Sequence, residues 1–254
     1  MGPELADAVR VLKDAELILV FSGAGLSTES GIPDFRGPNG LWSKLDPEDF
    51  TIDRYRMSPD IRKRGWKMHV DGELWSARST VQPNKGHAAI VRLQEAGSLG
   101  GVVTQNVDGL HHKSGLDDST VAELHGNVRT SHCDSCRTKW PTETVLGWVE
   151  AGNPDPSCPI CAGIVKTDTV LFGEDLPEEE VRKANVYLAI SDAVLVVGST
   201  VSVWPAAEIV MRGAKHSKPV VIINKGPTDA DHVATVKIDS GIGDVLPGLI
   251  DQIT

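Results

Sequence analysis

Four cysteines in this chain of 254 residues fall into two pairs, Cys133-Asp134-Ser135-Cys136 and Cys158-Pro159-Ile160-Cys161. Two Cys-x-x-Cys knuckles about 20 residues apart have the spacing of a tetrahedral zinc site with four thiolate ligands. Each knuckle supplies two sulfurs from one tight turn, and the intervening segment folds back to join the pairs. Four protein ligands close the coordination sphere, so such a zinc holds a fold together and does not activate water. Two disulfides or four ordinary thiols are the alternatives. An intracellular setting disfavours the first, and the absence of any unpaired cysteine disfavours chance. His132 adjoins the first knuckle as a substitute ligand or a bystander.

A second chemistry-bearing run is Gly23-Ala24-Gly25-Leu26-Ser27-Thr28-Glu29-Ser30-Gly31-Ile32-Pro33-Asp34-Phe35-Arg36-Gly37. It follows an apolar stretch, 17–21, that reads as a buried strand. Glycine lets backbone N–H groups approach a phosphate closely because it has no side chain in the way. The usual dinucleotide fingerprint lacks its third glycine here, since Thr28 stands in its place. A second glycine turn follows, and then an acid, an aromatic ring and a guanidinium. A polar surface turn accounts for two glycines but not for this density of polar, aromatic and glycine residues.

The elements that must carry these residues can be read from periodicity. Residues 4–15 have helical spacing of Leu5, Ala8, Val9 and Leu12. Residues 46–74 read as helices of a smaller module. Residues 83–96 look helical, and 97–101 ends that helix. A short strand, 102–104, runs directly into Gln105-Asn106-Val107-Asp108-Gly109-Leu110-His111. Strands are expected at 193–197, 220–223 and 233–238. They end in Gly198-Ser199-Thr200, Asn224-Lys225-Gly226 and Asp239-Ser240-Gly241. Helices are expected at 178–190, 205–214 and 245–250, with Pro205 in a first helical turn. Strands alternating with helices imply an α/β fold, a doubly wound parallel sheet covered on both faces. Ligands bind beyond the carboxyl ends of such strands, so the polar clusters should converge.

The formal net charge is −10. No basic patch marks a nucleic-acid surface, and Arg62-Lys63-Arg64 reads as a solvated helix face. No apolar stretch has the length of a membrane span, and no secretory signal is evident. Ala6 breaks the myristoylation pattern. These features suggest a bacterial or archaeal cytoplasmic protein.

Taken together, the motifs resemble the sirtuin family, the NAD-dependent protein deacylases. The matching runs are residues 23–36, 104–111, Glu123-Leu124-His125-Gly126, both cysteine pairs, Phe172-Gly173-Glu174, Val203-Trp204-Pro205-Ala206-Ala207 and Ile223-Asn224. The resemblance implies a Rossmann-like large domain (about 1–37, 81–128 and 168–254). It also implies a small module from a helical insertion, about 38–80, and a zinc ribbon, about 129–167. NAD and an acyl-lysine peptide would share the cleft between them.

By position, Gly23, Ala24, Gly25, Asp34, Phe35 and Arg36 resemble the cofactor loop. Gln105 resembles the contact to the nicotinamide ribose. Ile32, Asn106 and Asp108 resemble the pocket for the nicotinamide carboxamide. Gly198, Ser199, Asn224 and Lys225 resemble further cofactor contacts. His125 matches the catalytic base, a role suited to a side chain that exchanges protons near neutral pH. Phe172, Gly173, Glu174 and Val203 would receive the peptide as an added strand. The resemblance implies transfer of the acyl group to ADP-ribose with release of nicotinamide. A mono-ADP-ribosyltransferase, an NAD glycohydrolase or a non-catalytic NAD-binding module are rival readings. The chain departs from the family pattern at Ser199-Thr200, at Thr167 and at Trp66-Lys67-Met68-His69. The last lacks the Tyr-x-x-Arg pair that grips acidic acyl groups, so neutral acyl groups are the expected substrates.

Overall fold

Helix α1 (Pro3–Lys13) buries Ala8 and Leu12 on one side and leads into strand β1 (Ile18–Ser22), whose residues are all buried. The computed structural model describes residues 2–37, 40–73 and 75–254; Met1, Pro38, Asn39 and Leu74 lie outside the described residues, and with them parts of the 38–80 and 46–74 stretches. A seven-residue 3-10 helix, Ala24–Ser30, follows β1. Next come helices α2 (Ile52–Met57), α3 (Pro59–Val70) and α4 (Lys85–Glu95). Side-chain oxygens of Thr51, Ser58 and Asn84 accept from N–H groups in the first turns of these three helices. Such caps satisfy donors that have no partner within the helix.

Strand β2 (Leu99–Thr104) precedes the single-turn helix α5 (Leu110–Lys113) and strand β3 (Val121–Glu123). Strands β4 (Thr130–Cys133), β5 (Lys139–Pro141) and β6 (Val165–Thr167) form a second sheet, with helix α6 (Thr142–Glu150) between β5 and β6. The chain then alternates regularly: α7 (Glu178–Ile190), β7 (Ala193–Val197), α8 (Glu208–Lys215), β8 (Val220–Ile223), β9 (Val236–Ile238) and α9 (Ile242–Ile253).

The main sheet has six strands in the order β3-β2-β1-β7-β8-β9, all parallel. Alternation along each strand sends side chains to opposite faces. Ile18, Val20, Leu195, Val197, Val221 and Ile223 join one core; Leu19, Phe21, Val194, Val196, Val220 and Ile222 join the other. That double burial explains why these strands read as unbroken apolar runs. The strand order reverses between β1 and β7, which opens a crevice at their carboxyl ends.

The second sheet, β5-β4-β6, is antiparallel. It shares a core with α3: Trp66 packs in one cluster with Cys133, Val145, Leu146, Cys158 and Val165. Arg56–Asp134 and Arg62–Asp155, both at 2.8 Å, and Arg78–Glu143 at 2.6 Å tie the same two segments together.

Three expectations are corrected. The stretch 97–101 does not simply end a helix, because Leu99–Gly101 already belongs to β2. A Cβ at Gly100 would lie 2.0 Å from Ser191 Oγ, and one at Gly101 would lie 2.3 Å from the Tyr187 ring. The glycines therefore let α7 and its C-terminal residue press against the strand, where propensity alone suggests a breaker. Pro205 stands three residues before α8, in a turn after a cis Trp204–Pro205 bond, and not in a first helical turn. The strand expected at 233–238 is only Val236–Ile238, since Asp231–Val233 is a 3-10 turn. Among the described residues, no helix is long and apolar enough to cross a membrane.

Candidate active site

Every polar cluster that follows a strand lies on the carboxyl side of the main sheet, as parallel strands require. The closest meeting is between the loops after β1 and β7. Gly23 N–H donates to the Val197 carbonyl at 3.1 Å, and Gly25 N–H to the Gly198 carbonyl at 2.8 Å. A Cβ at Gly25 would stand 2.7 Å from Gly198 Cα, and one at Gly198 would stand 2.3 Å from Leu26 N. Gly198 also has φ +62°, a left-handed conformation that glycine adopts without strain. These glycines are thus required by backbone contact between two loops. That contact aligns the start of the Ala24–Ser30 turn with Ser199.

The loop after β2 joins this meeting through side chains. Ser199 Oγ donates to Gln105 Oε1 at 2.7 Å. Asn106 Nδ2 donates to the Gly23 carbonyl and to Ser27 Oγ, both at 3.2 Å. Ser27 Oγ donates to Asp108 Oδ2 at 2.7 Å, and Asp108 Oδ1 accepts from Leu110 N–H at 2.9 Å. Burial raises the Asp108 carboxyl above its ordinary range, while the bonds from Leu110 and Ser27 oppose the shift. Ser27 was missed as a site residue by sequence reasoning. Its hydroxyl was visible in the glycine run, but its acid partner is 81 residues away.

His125 is partly buried at the end of β3, and its Nδ1 lies 3.1 Å from the Gln105 carbonyl oxygen. A carbonyl only accepts, so Nδ1 carries the proton in this contact. The neutral ring then holds its free lone pair on Nε2. Burial lowers the His125 pKa below its ordinary value, against the opposing pull of the Gln105 carbonyl. The geometry is that of a neutral base oriented by a fixed acceptor.

The remaining expected residues are placed less centrally. Asp34 Oδ1 accepts from Gly37 N–H at 2.9 Å, and Leu41 and Trp42 donate to the Asp34 and Phe35 carbonyls at 2.8 and 3.1 Å. Phe35 stacks obliquely on Trp42 and Trp75, with ring centroids 5.2 and 5.7 Å away, and Arg36 is exposed. Ile32 and Asp108 line a cavity of ≈ 330 Å³ with Trp75, Leu110, Val128 and Arg129. Asn224 is buried at the end of β8, where Nδ2 bonds the Lys225 and Gly226 carbonyls, and Lys225 is exposed.

Phe172 uses its own N–H and carbonyl within the chain, bonding the Phe50 carbonyl at 2.9 Å and Ile52 N–H at 3.0 Å. The Glu174 carboxylate turns inward to Lys166 at 3.0 Å and to Leu171 N–H at 2.9 Å. Val203 is half-buried beside the exposed Trp204. Trp66 and His69 turn into the core shared with the small sheet, while Met68 packs with Ile32, Leu41 and Trp75.

The four cysteine sulfurs all lie within 4.8 Å of one another, with Cys133–Cys161 at 3.5 Å and Cys136–Cys158 at 3.6 Å. Zinc–sulfur bonds of about 2.3 Å place tetrahedral sulfurs about 3.8 Å apart, so the cluster fits one zinc ion. It does not fit disulfides, whose sulfurs are about 2.05 Å apart. Cys136 N–H points at Cys133 Sγ and Ile160 N–H at Cys158 Sγ, both at 3.4 Å, which suits thiolate ligands. His132 is not in the cluster; its Nδ1 pairs with Asp168.

The family model described as Sir2 matches residues 23–205. The chain is 39% identical over 246 residues to an NAD-dependent protein deacetylase of Caldivirga maquilingensis, covering 97% of this chain and 92% of that protein. It is 40% identical over 237 residues to NAD-dependent protein deacetylase 2 of Streptomyces coelicolor, covering 92% and 96%. A solved structure concerned with the mechanism and regulation of Sir2 enzymes superposes with a TM-score of 0.88 at 35% identity, covering 100% of this chain and 98% of that one. A Sir2 histidine-to-alanine variant with deacetylated peptide and 3'-O-acetyl ADP-ribose superposes with a TM-score of 0.86 at 31% identity, covering 98% of both chains.

Proposed function

The chain belongs to the Sir2 family, and from that premise we propose that it is an NAD-dependent protein-lysine deacylase. The observation that carries this reading is the convergence of His125, Gln105, Asn106, Asp108 and Ser199 at the strand-order reversal.

The residues present fit NAD. The Gly23–Gly25 turn, Asp34, Phe35, Arg36, Gly198 and Ser199 would take its phosphates and nicotinamide ribose, with Gln105 at that ribose. Asn224 and Lys225 would take the adenosine end. Ile32, Asn106 and Asp108 would hold the nicotinamide carboxamide. Bound NAD supplies an ADP-ribosyl acceptor for the acyl group and a nicotinamide leaving group. The network from Ser27 to Asn106 and Asp108 fixes the pocket before substrate arrives, and fixed dipoles need no reorganisation during reaction. His125 accepts the proton of a sugar hydroxyl at Nε2, while the Gln105 carbonyl holds Nδ1–H. The four-cysteine cluster would hold a structural zinc through Cys133, Cys136, Cys158 and Cys161, leaving no open position for chemistry.

The Gly173 backbone and the Val203 segment would receive the acyl-lysine peptide, since the Phe172 N–H and carbonyl and the Glu174 N–H are already bonded within the chain. Met68 and the apolar Ile32, Leu41 and Trp75 suit neutral acyl groups. We place the protein in the cytoplasm, where free thiols persist, and divide it into a large domain and a small module as the sequence suggests.

Nicotinamide release separates this reading from its rivals. An acetyl-lysine peptide should stimulate it strongly, with one deacetylated lysine per nicotinamide. Equal release with and without peptide would make the protein a glycohydrolase instead. A succinyl-lysine peptide that outperforms the acetyl peptide would sink the neutral-acyl preference.

A further inference from the structure

We propose that Lys166 is a positioning residue that shapes the Phe172–Glu174 segment for peptide binding and couples it to the zinc ribbon. The inference rests on the deacylase reading above.

Lys166 lies in β6, paired with His132, and the preceding Val165 pairs with the zinc-ligand position Cys133. Its side chain is 3% exposed. An ammonium removed from water must find acceptors. Nζ donates to the Thr169 carbonyl at 2.7 Å and lies 3.0 Å from Glu174 Oε2. The same carboxylate oxygen accepts from Leu171 N–H at 2.9 Å. One buried cation therefore gathers residues 169, 171 and 174 around a strand of the ribbon.

The gathered segment reaches His125 on one side and the start of α2 on the other. Val170 N–H donates to the His125 carbonyl at 2.9 Å, and Phe172 bonds Phe50 and Ile52. A Cβ at Gly126 would lie 1.8 Å from the Asp168 carbonyl, so the chain passes directly against the residue after His125. A cavity of ≈ 300 Å³ lined by Glu123, His132, Lys166, Asp168 and Glu174 flanks the pair. Most of the residues lining that side are polar or charged, with Val170 and Pro177 as its apolar members. The Lys166–Glu174 ion pair is the tie that draws the 169–174 turn onto β6.

The test uses the full chain, a fluorescein-labelled acetyl-lysine peptide and three variants: Lys166→Met, Lys166→Arg and Glu174→Gln. Lys166→Met should weaken peptide binding and raise the peptide KM by about tenfold or more, because it removes the cation that holds the partly buried Glu174 carboxylate and the Thr169 carbonyl. Its zinc content should stay at the wild-type level and its NAD KM within about twofold of wild type. Lys166→Arg should restore most of the affinity, because a guanidinium still reaches both acceptors. A zinc-loaded Lys166→Met with wild-type peptide affinity would overturn the inference. If Lys166→Met does not fold, Glu174→Gln decides: a weakened peptide affinity with unchanged NAD KM supports it, and an unchanged one overturns it. A wild-type protein that binds no acetyl-lysine peptide overturns the deacylase reading and this inference with it.

Discussion

At the scale of single residues, the account turns on His125 being neutral when substrate arrives. Burial disfavours the charged ring more than the Gln105 carbonyl favours it, so its pKa falls below the ordinary value. The base must be unprotonated, and a lowered pKa keeps it unprotonated further into acid. The acidic limb of kcat/KM should therefore have its midpoint below about pH 6.5, the ordinary histidine value. A midpoint near neutrality in the free enzyme's profile would contradict this. His125 was legible because its neighbours carry a specific motif. Ser27 and Lys166 were not. One is a hydroxyl whose acid lies on another strand's loop, and the other looks like any surface lysine until its burial is known.

At the scale of elements, helix α3 and the second sheet share one core although they come from two segments of chain. Trp66 on α3 packs on Cys133 and Cys158, and Arg56, Arg62 and Arg78 hold carboxylates of the ribbon. Zinc should therefore organise the helical insertion as well as its own knuckles. Chelation should release one zinc per chain and shift the fluorescence of Trp66, Trp140 and Trp148, which share that core, to the red. The main sheet's far-ultraviolet signal should persist. Unchanged fluorescence after complete metal loss would refute a structural zinc. The cysteine spacing announced the ribbon, whereas β3, β4, β5, β6 and α6 went unread. Four of those strands have three or four residues, too short for periodicity to show. The long runs of β1, β7 and β8 were readable because both faces of each are buried. The glycines of β2 misled because their cause, the close approach of Tyr187 and Ser191, lies elsewhere in the chain.

At the scale of the whole molecule, the parallel order and its reversal between β1 and β7 gather residues from most of the chain at one end of the sheet. Convergence followed from strand–helix alternation alone, but the pairings within it did not. The same architecture buries titratable histidines. Burial holds His69 and His87 down to about 4, and His111 is also well below its ordinary value. The unfolded chain binds these protons first as pH falls, so the unfolded state gains them while the native state resists. Their contribution is complete above about pH 6.5 and is lost between there and about pH 4. Urea midpoints at pH 7.5, 6 and 5 should fall in that order, and a flat series would contradict the burial of these rings. The most direct test of the central claim is mass spectrometry of an acetyl-lysine peptide incubated with the protein, with and without NAD, beside His125→Ala. The account predicts NAD-dependent loss of the acetyl group, matching O-acetyl-ADP-ribose, and neither product in His125→Ala. Nicotinamide release with the peptide still fully acetylated would contradict it.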